Sequence, residues 1–178
     1  ITAPADISLN VDANSCVAAV SGVTLGSPTA ADNCSVTTAN NASGNFVLGA
    51  NTVTWTATDG SGNTATASQT VTVVDNIAPT VVTQNVIVNL DASGNASVTT
   101  ADIDNGSSDN CGITLSLDVT SFTCANIGVN TVTLTGTDAA GNSSTASATV
   151  TVVDNISPTT SVQNVTVNLD ASGNATIT

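Results

Sequence analysis

Apolar and polar residues alternate with a period of two along most of the chain. Val, Trp and Ala alternate with Thr in segment 52–58, and Ala and Val alternate with Thr and Ser in segments 64–73 and 146–152. This alternation is typical of half-buried β-strands, and Val and Thr favour extended backbone. Turn residues between the strands favour a sandwich. The chain is therefore predicted to be all-β, with tandem immunoglobulin-like antiparallel β-sandwiches of seven strands each and with Trp55 and Leu134 in the two cores.

The sequence repeats itself with an offset of 79 residues, and segment 70–97 matches segment 149–176 at most positions. Such self-similarity predicts tandem structural units. The predicted units are a first repeat, a second repeat and the opening strands of a third, at residues 1–78, 79–157 and 158–178. The last segment lacks the sheet that it should join. Either the sequence belongs to a longer array, or a neighbouring subunit completes the sheet by strand addition.

The composition excludes several classes of function. The chain has no Lys, Arg or His, and its 13 acidic residues are all Asp, so the net charge is −13. Binding to nucleic acid or to an anionic membrane surface requires cationic side chains, and a Ser-His-Asp or Cys-His centre requires His. No apolar run has the length of a membrane span. The aspartates recur with the repeat, which suits a structural role better than one active site, so we predict that the protein is not an enzyme.

Each repeat contains one pair of cysteines, Cys16 with Cys34 and Cys111 with Cys124. Four cysteines allow three pairings, and pairing within a repeat requires no geometry across domains. We therefore predict two disulfides, one in each repeat, in an extracellular protein. The alternative is that the thiols are reduced and buried.

The pattern Asp-x-Ser/Ala-Gly-Asn occurs four times, at 59–63, 91–95, 138–142 and 170–174. It can form a tight hairpin turn, in which Asp caps the turn and Gly adopts a positive φ. It can also form a calcium loop, in which Asp and Asn supply oxygen ligands. We favour the plain turn for the second and fourth copies and leave both interpretations open for the first and third.

Two further groups of aspartates can bind a cation. The motif Val-Asp-Asn-Ile-x-Pro ends each repeat, and its Pro ends the strand at the linker. A third cluster packs Asp102, Asp104 and Asp109 into eight residues, where close carboxylates repel unless a cation separates them. Because the chain has no basic side chain, we predict Ca²⁺ as its cofactor. The candidate ligands are Asp59, Asn63, Asp75, Asn76, Asp102, Asp104, Asp109, Asp138, Asn142, Asp154 and Asn155.

The first repeat resembles the hyalin repeat (HYR) in its segments 32–35, 51–63 and 71–79, which carry Asp-Asn-Cys-Ser, Asn-Thr-Val-Thr-Trp-Thr-Ala-Thr-Asp with Gly-Asn, and Val-Thr-Val-Val-Asp with Pro. The second repeat is similar to related repeats of large secreted proteins from Bacteroidota-type bacteria. This resemblance implies an immunoglobulin-like sandwich in an extracellular, adhesive, multidomain protein, and it carries no catalytic residues. The absence of Lys and Arg departs from the family pattern.

These features together predict a structural extracellular repeat protein, which is a calcium-stabilised subunit or section of a filament or adhesin stalk at the cell surface. Its expected partner is itself, through head-to-tail repeats or subunits and possible strand addition. One alternative is an adhesion module that recognises a glycan or a host protein. Another is a spacer beside a secreted enzyme.

Overall fold

The computed structural model describes residues 1–176, and within them each repeat has six strands. The strands of the first repeat are β1 Ile7–Asn10, β2 Val17–Ala19, β3 Val36–Asn40, β4 Asn45–Val47, β5 Gly49–Asp59 and β6 Thr64–Val74. Those of the second are β7 Val86–Asn89, β8 Asn95–Ser97, β9 Thr114–Leu117, β10 Ser121–Thr123, β11 Gly128–Thr137 and β12 Ser143–Val153. A single helical turn, α1 Thr100–Ile103, lies between β8 and β9.

The two longest strands of each repeat form a hairpin at the centre of a four-stranded sheet. The strand orders are β1-β6-β5-β3 and β7-β12-β11-β9, and the other strands form two-stranded sheets, β2-β4 and β8-β10. The all-β, immunoglobulin-like sandwich is thus confirmed, with six strands in each repeat instead of the predicted seven. One pairing in each repeat differs from the antiparallel expectation, since β1 pairs with β6 and β7 pairs with β12 in parallel. Both strands of each parallel pair run towards the same end of their repeat.

The large and small sheets of each repeat enclose one hydrophobic core. In the first repeat Ala18 and Phe46 of the small sheet pack with Val53, Trp55 and Val71 of the large sheet. The alternation of β5 and β6 directs every second side chain into this core, as a period of two requires. The second core contains Phe122, Val132, Leu134 and Val150, all at most 2% exposed. The predicted core positions of Trp55 and Leu134 are therefore confirmed.

A buried hydrogen-bond network surrounds the only Trp. The Trp55 indole Nε1–H donates to Gln69 Oε1 at 3.1 Å, and Gln69 is fully buried. The Gln69 Nε2 group in turn donates to the backbone carbonyls of Ala5 at 2.7 Å and Leu25 at 3.0 Å. The network fixes the first segment of the chain against the sheet.

The last segment of the described chain forms a turn without strands. Residues 159–176 are exposed and include no strand. The Asp170 side chain nevertheless accepts hydrogen bonds from the backbone N–H groups of Ser172 at 2.8 Å and Asn174 at 3.0 Å. The turn requires only local contacts, whereas the predicted opening strands of a third repeat require a sheet edge. The final two residues of that prediction, 177 and 178, lie outside the described residues.

Neither the helical turn α1 nor the 3-10 turns within residues 1–176 have the length and hydropathy of a membrane-spanning helix.

Candidate metal centre at the junction of the repeats

The Asp-x-Ser/Ala-Gly-Asn motifs form hairpin turns with one hydrogen-bond pattern. In the first copy, Asp59 Oδ1 accepts from the backbone N–H groups of Ser61 at 2.8 Å and Asn63 at 2.9 Å. Asp91 accepts equivalent bonds from Ser93 and Asn95. The fourth residue of each motif is a Gly with φ between 77° and 94°. Asp therefore caps the turn and Gly supplies the positive φ in all four copies, as the plain-turn interpretation requires.

Two of the four turns have an additional contact, in which the Asn side chain holds the second carboxylate oxygen. The Nδ2 group of Asn63 donates to Asp59 Oδ2 at 2.7 Å, and that of Asn142 donates to Asp138 Oδ2 at 2.7 Å. Burial opposes ionisation of Asp138, but the Asn142 side chain and backbone outweigh it and hold the pKa of Asp138 below its usual value. For Asp59 the Asn63 side chain is the largest influence, and its pKa is also lowered. Both turns therefore present ionised carboxylates.

The third turn lies against the linker, and there three carboxylates from separate segments meet. Asp138 follows β11, Asp75 follows β6 of the first repeat, and Asp109 lies in the loop between α1 and β9. One oxygen of each lies within 4.8 Å of the others. Asp75 is 5% exposed and Asp138 is 7% exposed. In the sequence these residues belong to three different candidate groups: the Asp-x-Ser/Ala-Gly-Asn motif, the linker motif and the local acidic cluster. The fold brings one member of each group together at the junction.

Several oxygen atoms at this junction have no hydrogen-bond donor. Asp75 Oδ2, Asp109 Oδ1 and Asn110 Oδ1 are buried and without a partner. The other oxygens of the two carboxylates accept backbone N–H groups, from Ile77 at 3.0 Å and Cys111 at 2.7 Å. Unpartnered buried oxygens are costly, and ionised carboxylates at this distance repel each other. A hard cation with several oxygen ligands removes both costs, and Ca²⁺ has this ligand preference.

Asn142 connects the two repeats at this centre. Its Nδ2 group donates to the backbone carbonyl of Asp75 at 3.0 Å in addition to its bond to Asp138. Asn110 makes a second connection, because its Nδ2 group donates to the backbone carbonyl of Ser15 in the first repeat at 3.1 Å. These amides hold the carboxylates of different repeats in one arrangement.

The other predicted ligands of the local acidic cluster stabilise turns. Asp102 accepts from the Thr99 hydroxyl and backbone N–H, both at 2.7 Å, and caps α1. Asp104 accepts from the Ser107 backbone N–H at 2.9 Å. These contacts, with Thr99 and with Ser107, hold the pKa values of Asp102 and Asp104 below the usual value. The triad at the junction therefore includes Asp109 but neither Asp102 nor Asp104.

The remaining predicted ligands lie at the linker or at the ends of the two-repeat unit. The side chain of Asn76 donates to Asn10 and that of Asn155 to Asn89, both at 2.8 Å. Asp154 is exposed and accepts from the Ile156 N–H at 2.9 Å. In the described part of the chain, none of these residues, nor Asp59 and Asn63, belongs to a three-carboxylate group like that at the junction.

The disulfide prediction is corrected by the structure. Cys16 is bonded to Cys111, 95 residues away, whereas Cys34 and Cys124 are free and exposed. The bond joins the β1–β2 turn of the first repeat to the loop before β9 of the second. Pairing within repeats is wrong because the stacking of the repeats places these two cysteines together, with a Cα–Cα distance of 4.7 Å. The sequence contained one indication against pairing within repeats, because the two cysteine pairs lie at different positions within their repeats.

Comparisons with known proteins support the HYR-like character of the first repeat. Residues 10–73 match the model of the HYR domain. No curated protein was found to match the chain. The chain is similar in structure to protocadherin gamma B2 extracellular cadherin domains 1–5, with TM-score 0.43, 16% identity, and coverage of 84% of this chain and 38% of that one.

Two further solved structures are similar at the same low level. Human mucin-like protocadherin EC1-2 has TM-score 0.42 and 14% identity, with 85% of this chain and 97% of that one covered. Drosophila N-cadherin EC1-4 has TM-score 0.40 and 14% identity, with 85% and 47% covered. Similarity at this level has no bearing on function. The HYR match over residues 10–73 and the sheets of the first repeat together support an HYR-like, immunoglobulin-like repeat.

Proposed function

We propose that the chain is a structural section of an extracellular repeat protein, such as a filament or an adhesin stalk, in which Ca²⁺ stiffens the junction between repeats. The observation that carries this proposal is the triad of Asp75, Asp109 and Asp138, with unpartnered buried oxygens on the first two. The HYR match of the first repeat supports the extracellular and adhesive setting.

The cation acts by favouring one arrangement of the two repeats. Asp75 belongs to the first repeat, whereas Asp109 and Asp138 belong to the second, so an ion bound by all three binds only the stacked state. A ligand that binds only the folded, stacked state stabilises that state by RT ln(1 + [L]/Kd), where [L] is the free ligand concentration. Without an ion, repulsion among the three carboxylates opposes the stack. The disulfide of Cys16 and Cys111 keeps the repeats together in both cases.

A glycan-binding module is less well supported. Sugar-binding surfaces use exposed aromatic side chains, and the three aromatic residues of this chain are Phe46, Trp55 and Phe122. All three are at most 6% exposed. The aromatic residues are therefore used for the two cores.

The test compares thermal unfolding and calorimetric titration in Ca²⁺, in Mg²⁺ and in EDTA. With a Kd of about 0.5 mM, typical of extracellular calcium modules, 10 mM Ca²⁺ should stabilise the chain by about 2 kcal/mol. That corresponds to a rise in Tm of about 4–7 °C for a protein of this size. Mg²⁺ should have a smaller effect, because it retains its water.

The variants Asp75→Asn and Asp109→Asn should remove most of the calcium effect. Asp170→Asn makes the same charge change in a plain turn outside the two sandwiches and should retain the effect. Equal Tm values in Ca²⁺ and EDTA for the unmodified chain, or an equal calcium response in Asp75→Asn and Asp170→Asn, would contradict the metal centre.

A further inference from the structure

The two free cysteines lie at opposite ends of the two-repeat unit. Cys34 lies in the loop before β3 of the first repeat, and Cys124 begins a 3-10 turn after β10 of the second. Both are exposed. Because the two repeats are similar in sequence, each end of the two-repeat unit has a counterpart at the junction between the repeats.

Cys34 is the counterpart of Cys111, which forms the inter-repeat disulfide. Both follow Asp-Asn, and both backbone N–H groups donate to that Asp, from Cys34 to Asp32 Oδ2 at 2.9 Å and from Cys111 to Asp109 Oδ2 at 2.7 Å. From this turn Cys111 forms its disulfide with Cys16 of the first repeat. Cys34 has the same turn, and its thiol is free and exposed.

Cys124 places its sulfur at the counterpart of the Cys16 turn. Residues 91–95 of the second repeat correspond to residues 12–16 of the first, and Asn95 stands in the position of Cys16. The Cys124 Sγ lies 3.7 Å from the carbonyl oxygen of Gly94. A Cβ on Gly94 would lie 2.7 Å from that sulfur, whereas its counterpart Ser15 carries a side chain. The second repeat therefore also has a cysteine sulfur at this turn. The sulfur belongs to the 3-10 turn after β10 and not to the turn at residues 91–95 itself.

The surface around Cys124 is the counterpart of a surface on the first repeat. On the first repeat, that surface is covered by the second repeat. Asp154 and Ile156 are the counterparts of Asp75 and Ile77, and the same Asp-to-backbone bond forms in both pairs. Asp75 is buried at the junction, but Asp154 is exposed. Ile77 packs against the first core, but Ile156 is 48% exposed. In the described residues this end of the two-repeat unit is therefore an exposed copy of the junction surface.

The opposite end of the unit, in the first repeat, carries the counterparts of the two junction carboxylates that the second repeat supplies. Asp32 and Asp59 are the counterparts of Asp109 and Asp138, and Asn63 holds Asp59 as Asn142 holds Asp138. The third carboxylate of the triad has no counterpart in the first repeat, because it comes from the repeat before. Asp154 at the other end is that missing counterpart.

We propose that a second copy of this chain docks its first repeat on the end of the second repeat, and that a disulfide between Cys124 and the second copy's Cys34 locks the contact. The same contact completes a cation site from Asp154 of one copy and Asp32 and Asp59 of the next. This cation site rests on the proposed function of the internal triad, whereas the disulfide does not. Repetition of the contact produces a head-to-tail filament.

The bond forms by thiol–disulfide exchange with a small dialkyl disulfide such as oxidised glutathione. One cysteine thiolate attacks a sulfur of the reagent, forms a mixed disulfide and releases one small thiolate. The thiolate of the other cysteine attacks the protein sulfur of the mixed disulfide and releases the second small thiolate. The reagent is reduced to two thiols and the two cysteines are oxidised. The two protons that the cysteines lose pass through solvent to the two released thiolates.

The test is oxidation of the full chain with oxidised glutathione in Ca²⁺ or in EDTA, read on non-reducing gels and by intact mass. The unmodified chain should form a ladder of multiples, and the double variant Cys34→Ser, Cys124→Ser should stay monomeric. A mixture of the Cys34→Ser and Cys124→Ser single variants should give the heterodimer, well above the share that random pairing produces. Cleavage at Asp is needed to map the bond, because the chain has no Lys or Arg for trypsin. The map should contain the Cys34–Cys124 peptide pair.

Calcium should accelerate the cross-link by at least severalfold, because each copy carries a charge of −13 and the docked ends bring carboxylates together. Asp154→Asn should lose this acceleration, and Asp170→Asn should keep it. No ladder, or random pairing that includes Cys34–Cys34 and Cys124–Cys124 dimers, would overturn the head-to-tail contact. Equal yields in Ca²⁺ and EDTA would overturn the shared cation site alone. Failure of the internal centre is detected separately, by the calcium response of Asp75→Asn in thermal unfolding.

Discussion

The side chain of Asn142 in the second repeat donates a hydrogen bond to the backbone carbonyl of Asp75 in the first, at 3.0 Å. The same Nδ2 group donates to Asp138 Oδ2 at 2.7 Å. One amide therefore positions two of the three acidic residues of the junction. Asn63, its counterpart in the first repeat, bonds only to its own turn among the described contacts.

This difference provides a matched pair of variants for the proposed calcium centre. Asn142→Ala should weaken calcium binding about tenfold or more, because residues that orient ligands affect metal affinity at this scale. Asn63→Ala removes the equivalent contact in a turn that lacks the triad, and it should leave calcium affinity at the junction unchanged. Isothermal titration of both variants measures the effect. Equal affinities would mean that Asn142 does not position the ligands.

The disulfide between Cys16 and Cys111 should couple the unfolding of the two repeats. In the loop-entropy model a cross-link over 95 residues stabilises the chain by about 4–5 kcal/mol. Cys111→Ser should lower the free energy of unfolding towards this limit. It should also separate the transition seen by Trp55 fluorescence, which reports the first repeat alone, from the transition seen by circular dichroism.

Urea unfolding of the unmodified chain, Cys111→Ser and the control Cys34→Ser checks this prediction. The control removes a free, exposed cysteine and should change the free energy of unfolding by less than about 0.5 kcal/mol. Coincident transitions with unchanged midpoints in Cys111→Ser would show that the noncovalent junction alone couples the repeats.

The buried network of Gln69 should be a large contributor to the stability of the first repeat. Gln69→Leu leaves the Trp55 indole N–H and the carbonyls of Ala5 and Leu25 without their partner. The free energy of unfolding should fall by about 2–4 kcal/mol, since each unsatisfied buried group costs about 1–3 kcal/mol. Trp fluorescence during urea unfolding measures the loss.

The control for this variant is Gln84→Leu, because Gln84 is exposed and its Nε2 group donates to the carbonyl of Asp102. It should have a much smaller effect. A similar loss in both variants would show that the cost arises from replacing Gln with Leu and not from the buried network.

Asp118 should stabilise the second repeat in a manner that depends on pH. Its side chain accepts the backbone N–H of Thr133 at 2.8 Å, and this bond holds the pKa of Asp118 below its usual value. A carboxyl with a lowered folded-state pKa contributes stability above its unfolded pKa, near 3.9, and loses it as the pH falls through the folded value. Asp118→Asn should therefore be less stable than the unmodified chain at pH 6–7.

The stability difference between the two proteins should shrink as the pH is lowered below about 4. Unfolding midpoints in EDTA from pH 2.5 to 7 measure it, and the comparison cancels the titration of the junction carboxylates that both proteins share. A difference that stays constant over this range would show that the bond to Thr133 does not favour the ionised carboxyl.

Much of the fold was predictable because it depends on local patterns. The alternation in β5 and β11 specifies which side chains face the core, so the core positions of Trp55 and Leu134 follow from the alternation alone. The four Asp-Gly-Asn turns were also predictable, since each is closed by bonds within five residues. The turn at Asp170 forms even without strands beside it. The parallel pairing of β1 with β6 was not predictable from alternation, because a period of two does not encode strand direction.

The sequence by itself thus determined the strands, the turns, the repeat and the acidic residue types available to a cation. The tertiary structure alone decided that Asp75, Asp109 and Asp138 meet, and that Cys16 pairs with Cys111 and not with Cys34. The physical reason is that these contacts join segments of different repeats, and their distances depend on how two folded sandwiches stack. Local periodicity contains no information about that stacking, whereas the linker and the facing loops of the folded repeats specify it.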